Sequence, residues 1–127
     1  MTELPNLSEN QLEIMDVVWR QREATLGDIW TELSNSRPVA KNTIQTLLTR
    51  LVDKGWLKTR AEGKVFHYSA TKPREATLSN VVGKLLDTAF KGSTEGLMMA
   101  LFEGREITKE EADRIRTLIE RAERGEA

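Results

Sequence analysis

Residues 40–54 read Ala-Lys-Asn-Thr-Ile-Gln-Thr-Leu-Leu-Thr-Arg-Leu-Val-Asp-Lys, and the spacing within this stretch decides how the remainder is organised. Wound at about 100° per residue, Ile44, Leu47, Leu48, Leu51 and Val52 fall on one side of a helix. Asn42, Gln45, Thr46, Thr49 and Arg50 collect on the other, with Thr43 on the flank. A solvated helix face is ordinarily a mixture of Glu, Lys and Asp. Here it is amides, hydroxyls and one Arg, and the only acid, Asp53, stands at the far end. Amides pair with adenine, Thr offers a hydroxyl and a methyl, and Arg grips guanine or phosphate. The stretch has the chemistry of a recognition helix.

Working outward, Gly55 is placed to end this helix in the left-handed conformation. Leu57–Arg60 then reads as extended, Ala61-Glu62-Gly63-Lys64 as a hairpin turn, and Val65–Ala70 as a second strand. Upstream, Ser34–Pro38 is a turn by composition. Before it, Leu26, Ile29, Trp30 and Leu33 keep helical spacing behind a Thr25 cap with Asp28 at the third position. Glu23-Ala24-Thr25 is short enough to be an edge strand. The first helix starts at Ser8, whose capping box is completed by Gln11, and Leu7 can staple to Leu12. Leu12, Ile14, Met15, Val18 and Trp19 give that helix its apolar stripe. Three helices followed by a basic two-stranded hairpin is the order of a winged helix-turn-helix domain, with neighbours in sequence packing together.

After a junction near Thr71–Arg74 the pattern is purely helical. One helix runs to Gly92, a short one follows Ser93, and a third starts at a Thr108–Glu111 capping box. Leu85, Leu86, Leu97, Leu101, Phe102, Ile115, Leu118 and Ile119 lie on their apolar stripes, more than about 50 residues can bury alone. Self-association through this region is expected, most simply as a two-fold dimer. The fold class is therefore mostly α with a small β-hairpin. Residues 1–72 are expected to form a winged-helix DNA-binding domain and 73–127 a C-terminal helical dimerisation region.

The chain has 127 residues and a formal net charge of −1, which taken alone argues against a polyanion as partner. The distribution reverses that reading. Residues 1–36 hold two basic side chains against seven acidic, a balance of −5. Residues 37–74 hold nine against two, a balance of +7, and the remainder eight against eleven, a balance of −3. Affinity for DNA follows the local patch, and the basic block contains the candidate recognition helix. Cysteine is absent and there is a single His, so no disulfide framework, thiolate metal site or cysteine nucleophile is available. No metal, cofactor or enzymatic activity is expected. Apolar runs are too short to span a membrane and the first residues do not form a signal peptide, so a cytoplasmic protein is expected.

Several of these residues carry a plain alternative. Asn42 and Gln45 can be a capping pair for the helix start. Ser8 can serve its cap alone or also offer a hydroxyl and N–H groups to a phosphate. Lys41 and Arg50 suit phosphate, which positions a protein without specifying sequence. Arg60 and Lys64 flank the hairpin turn, where charge also discourages edge pairing. A winged helix used only for protein interaction is the competing function, and the basic block argues against it.

Leu-Ser-Glu-Asn-Gln-Leu-Glu-Ile-Met-Asp-Val-Val-Trp at 7–19 resembles the first helix of the BlaI/MecI/CopY family of penicillinase-type repressors. Asn-Thr-Ile-Gln-Thr-Leu-Leu-Thr-Arg-Leu-Val-Asp-Lys-Gly at 42–55 resembles that family's recognition helix, and Lys-Val-Phe-His-Tyr at 64–68 and Ile-Thr-Lys-Glu-Glu at 107–111 match in kind and order. The resemblance implies a homodimeric transcriptional repressor on a palindromic, double-stranded operator. It implies Thr43, Gln45 and Thr46 in the major groove. It puts Arg50, Arg60 and Lys64 on the DNA backbone, where Ser8, Lys41 and Asn42 are further candidates. In members that control β-lactam resistance a membrane-linked sensor triggers cleavage in the C-terminal helices, between Asn and Phe. The matching position here is Ala100-Leu101. Copper-responsive members carry a C-terminal cysteine site that this chain lacks, so the resemblance leaves the inducing signal unassigned.

Overall fold

Ser8 and Thr25 set the frame of the N-terminal half, because each closes a reciprocal capping box with the residue three positions on. Ser8 Oγ accepts from the Gln11 N–H at 3.2 Å while Gln11 Oε1 accepts from the Ser8 N–H at 2.9 Å. Thr25 and Asp28 repeat the arrangement at 3.1 and 3.0 Å. Each box satisfies two N–H groups that a helix start would otherwise leave unpaired. In the computed structural model, which describes residues 4–126, they open α1 (Glu9–Gln21) and α2 (Leu26–Ser34). The third helix, α3 (Lys41–Asp53), begins differently: its N-cap is Ala40, with no side-chain cap. Asn42 is therefore not the cap. The far end of α3 is a Schellman motif, with Trp56 N donating to Leu51 O, Gly55 N to Val52 O, and Gly55 at φ +91°.

Strand β1 (Leu57–Glu62) pairs antiparallel with β2 (Val65–Ala70), Leu57 opposite Ala70 and Glu62 opposite Val65. The turn is thus only Gly63-Lys64, two residues shorter than the sequence suggested, because Ala61 and Glu62 continue the ladder. Gly63 at φ +61° supplies the positive dihedral that the first residue of a type II′ turn demands. Ala24 adds a one-residue third strand, exchanging hydrogen bonds with Tyr68 at 3.0 and 2.8 Å.

Ile14, Met15, Val18, Ile29, Ile44, Leu48 and Leu51 are fully shielded from solvent, with Trp56, Leu57 and Tyr68 closing the core from the hairpin side. The three tryptophans pack against this core and also pin connections. Their indole N–H groups donate to the carbonyls of Lys72, Val39 and Pro5, for Trp19, Trp30 and Trp56 respectively. Arg37, in the α2–α3 connection, forks onto Glu13 of α1 at 2.6 and 2.9 Å, which fixes how α3 is presented.

Next comes α4 (Arg74–Thr88), which starts beside the expected boundary at 72/73. The chain gathers into two compact units that divide between Gly83 and Lys84, inside this helix. Buried Thr77, whose hydroxyl donates to Pro73 O at 2.8 Å, belongs to the first unit. Helix α4 ends earlier than its apolar pattern suggests; Phe90 lies beyond it in a turn closed by Gly92 N donating to Leu86 O. The second unit contains α5 (Thr94–Phe102) and α6 (Lys109–Glu123), capped by Ser93 and Thr108. Among the described residues neither helix buries a side chain, and Met99, Leu101, Leu118 and Ile119 stand in solvent.

Candidate nucleic-acid interface

Every residue singled out on the polar face of α3 is exposed: Asn42, Thr43, Gln45, Thr46, Thr49 and Arg50. The helix buries Ile44, Leu48 and Leu51, so its orientation follows from the apolar stripe, and the polar face must point outward. Local hydrogen bonds organise that face. Thr46 Oγ1 donates to Asn42 O and Thr49 Oγ1 to Gln45 O, each at 3.0 Å, the back-bonding that hydroxyls make one turn down a helix. With their protons committed, both threonines present a methyl and acceptor lone pairs. Gln45 Nε2 donates to Thr49 Oγ1 at 3.3 Å, which leaves the amide with a second N–H and its carbonyl to offer, the pair of groups that matches adenine.

The basic residues of 37–74 separate into three classes. Arg37, Arg60 and Arg74 are spent on carboxylates of Glu13, Glu23 with Glu62, and Glu75. The side chains of Arg50, Lys54, Lys58, Lys64 and Lys72 have no ion-pair or hydrogen-bond partner among the described residues. Lys41 sits with its Nζ 4.7 Å from the centroid of the Trp30 ring, a cation–π contact that holds it at the start of α3. The charge available to a polyanion is therefore concentrated along α3, the foot of the hairpin and its tip. Ser8 remains exposed at the head of α1 with its oxygen engaged in the cap.

Arg60 differs most from expectation. Its Nε and Nη2 fork onto Glu23 at 3.1 and 2.7 Å, while Nη1 reaches Glu62 at 3.2 Å. These bonds hold the Glu23 carboxyl below the usual carboxylate range and raise the Arg60 guanidinium. His67, opposite Arg60 in the register, points its two ring nitrogens at different carboxylates, Glu23 at 3.8 Å and Glu62 at 3.4 Å. Among the described residues no set of three acidic or imidazole side chains converges as a metal site. Glu23 lies 37 residues before Arg60, and no local pattern announces the pair.

Between α3 and the hairpin runs an open cleft of about 450 Å³, with Gln45, Thr49 and Asp53 on the helix side and Thr59, Phe66 and Tyr68 on the sheet side. Phe66 is 54% exposed, and the sequence reading did not single it out. Its signal was its position, second after the turn and on the same strand face as Tyr68, which is buried. The eight apolar residues expected at a dimer interface are all unburied in the single chain, with Leu85, Leu101, Leu118 and Ile119 between 43% and 57% exposed.

Residues 7–121 match the model of the penicillinase repressor family. The penicillinase repressor of Bacillus licheniformis is 27% identical over 120 residues, covering 94% of each chain. The methicillin resistance regulatory protein MecI of Staphylococcus aureus strain N315 is 22% identical, over 89% of this chain and 92% of its own. Among solved structures, the solution structure of the DNA-binding domain of the repressor BlaI superposes with a TM-score of 0.53 at 35% identity, over 58% of this chain and 90% of that one. The monomeric form of Bacillus licheniformis BlaI in complex with the blaP half-operator gives 0.51 at the same identity, over 59% and 92%. The first unit of this chain is a winged-helix DNA-binding domain of that kind.

Proposed function

The chain belongs to the penicillinase repressor family, and we propose that it represses transcription by binding, as a homodimer, an operator of two-fold symmetry. The observation that carries this reading is the outward face of α3, polar, self-organised by its own hydroxyls and without an acid before Asp53. In the proposed complex Thr43, Gln45 and Thr46 meet base edges in the major groove. Arg50 and Lys64 neutralise phosphates, with Lys41, Asn42 and Ser8 along the same strand. That a monomeric BlaI was captured on a half-operator supports one such unit per half-site. Two copies then require half-sites about one helical turn apart.

Pairing is assigned to the C-terminal helices, whose apolar stripes no other part of their own unit covers. Release follows from loss of that pairing. Ala100 and Leu101 lie in the last turn of α5 and both are exposed, so a protease acting under a membrane-linked sensor meets them after unwinding about one turn of helix.

Selection of bound sequences from random duplex DNA tests the reading. A palindromic consensus with two equivalent half-sites is expected. Failure of the full-length protein to retard any duplex at low salt would leave the winged helix as a protein-interaction module instead.

A further inference from the structure

The two faces of the hairpin meet different surroundings. Side chains alternate along a strand, so Arg60 and Glu62 share one face with His67, their partner across the register. That face carries the cluster with Glu23. Thr59, Phe66 and Tyr68 share the other, which closes the cleft against Gln45 and Thr49 of α3. Arg60 thus points away from the recognition helix, and Phe66 lies beside it.

Phe66 is 54% exposed at the rim of that cleft, two residues from Lys64 at the tip. Covering a ring that stands half in water is favourable. Two features point to a DNA strand as the cover, and a third to which part of the strand meets the ring. The cleft continues the polar face of α3. The adjoining Lys64, at the tip, lacks an acidic partner among the described residues. Asp53, in the same cleft, repels phosphate and leaves the sugar, the apolar part of the backbone, as the group that the ring can meet.

We infer that Phe66 is the hairpin's direct contact with the operator, packing its ring on a deoxyribose beside the strand that Lys64 neutralises. Arg60 acts through Glu23 as a positioning residue that ties the base of the hairpin to the α1–α2 connection. Both statements rest on the DNA-binding reading above.

The test is binding of full-length protein to its selected operator across a series of salt concentrations, with thermal melts of each variant. Phe66→Ala is expected to bind about ten-fold more weakly with an unchanged salt slope, because no charge is lost. Lys64→Ala is expected to lower the slope by about one. Phe66→Leu keeps most of the apolar bulk and is expected to bind within about three-fold of wild type, and it stands in for Phe66→Ala if that variant does not fold. Hydroxyl-radical footprints should show sugars protected by the wild type and exposed with Phe66→Ala. Wild-type affinity and footprint in Phe66→Ala overturn the contact, as does a shift in sedimentation at unchanged intrinsic DNA affinity, which would mean that a second copy of the chain covers the ring. For the clamp, Arg60→Ala is expected to weaken binding with an unchanged slope. Glu23→Gln removes an acid, which by charge alone strengthens binding to a polyanion; the positioning role requires it to weaken binding as Arg60→Ala does. A slope lowered by about one in Arg60→Ala, or tighter binding by Glu23→Gln, overturns it. Absence of DNA binding by the wild type would instead remove the functional reading itself.

Discussion

The two units of this chain use apolar residues in opposite ways. The first unit shields Ile14, Met15, Ile29, Ile44, Leu48 and Leu51 from solvent completely, so its fold stands on its own contacts. In the second, α5 and α6 bury nothing among the described residues, and Leu118 and Ile119 lie 57% and 53% exposed. Both helices open on a side-chain cap, so the difference is not one of how they start. It lies in what each stripe has to cover it. A complete core makes a unit that stands alone, whereas an uncovered stripe is the surface that the proposed pairing with a second copy covers.

The largest effect expected from this contrast comes from separating the units. A fragment ending at Gly83 keeps the core, Thr77 and the whole α3 face, and should remain folded and monomeric. Losing the second copy removes an effective concentration, so affinity for a full two-half-site operator is expected to fall by roughly 10²–10⁴-fold, while affinity for an isolated half-site stays unchanged. Gel retardation on the two duplexes measures both. Equal loss on each would show that the C-terminal unit does something other than pair.

Single core and stripe truncations sharpen the same comparison. Leu48→Ala opens a cavity in the first unit and should cost about 2–5 kcal/mol, by the same amount at any protein concentration. Leu118→Ala should show its cost only through the pairing equilibrium. The dependence of its melting temperature on protein concentration should be weaker than in the wild type. Calorimetry across a hundred-fold dilution separates them, and a concentration-independent loss for Leu118→Ala would place that side chain in an intrachain core. On the exposed side of the first unit, Gln45→Ala should leave stability almost untouched. It should cost about 1–3 kcal/mol against the selected site, with relaxed preference at one base position. Unchanged preference in a repeated selection would take Gln45 off the bases.

What the sequence made legible follows the range of the forces involved. Capping boxes at Ser8 and Thr25, the α3 stripe and the Gly55 stop depend on residues three to five apart, and they stand where the pattern puts them. The start of α3 near residue 40 also stands, but the alternative of Asn42 as its cap does not: Asn42 has the right chemistry for a cap, and the position is occupied by Ala40 with no side-chain bond. The hairpin turn was read two residues too long because Ala and Glu are poor strand formers, and cross-strand pairing carried them regardless. Interactions distant in sequence are less legible. Glu23-Ala24-Thr25 reads as a short edge strand, and Ala24 is one, but neither its partner Tyr68 nor the Glu23–Arg60 fork can be inferred from either partner alone. Phe66 passed as an ordinary strand residue until the register showed which face it shares.

The smallest expected effect concerns how the first unit is held at its surface, and it is an effect of acid. Glu23 is held below the ordinary carboxylate range chiefly by its hydrogen bonds to Arg60, and Glu32 chiefly by those to Arg20. A carboxylate whose folded pKa is depressed contributes stability at pH values above its unfolded pKa, and that contribution disappears as the pH falls through the folded value. For both groups the loss should begin as the pH drops past the ordinary value of 4.5 and continue below it. Both pairs are exposed, so solvent screening keeps each contribution small. The Glu23→Gln and Glu32→Gln variants should therefore melt only slightly below wild type at neutral pH and converge with it in acid. Both pairs, Glu23 with Arg60 and Glu32 with Arg20, lie wholly within the first unit. A fragment ending at Gly83 should thus reproduce the acid dependence that these two carboxylates give the full chain. If the two variants kept their deficit below the folded pKa, the pairs would be bystanders and the lost stability would belong to packing of the side-chain stems.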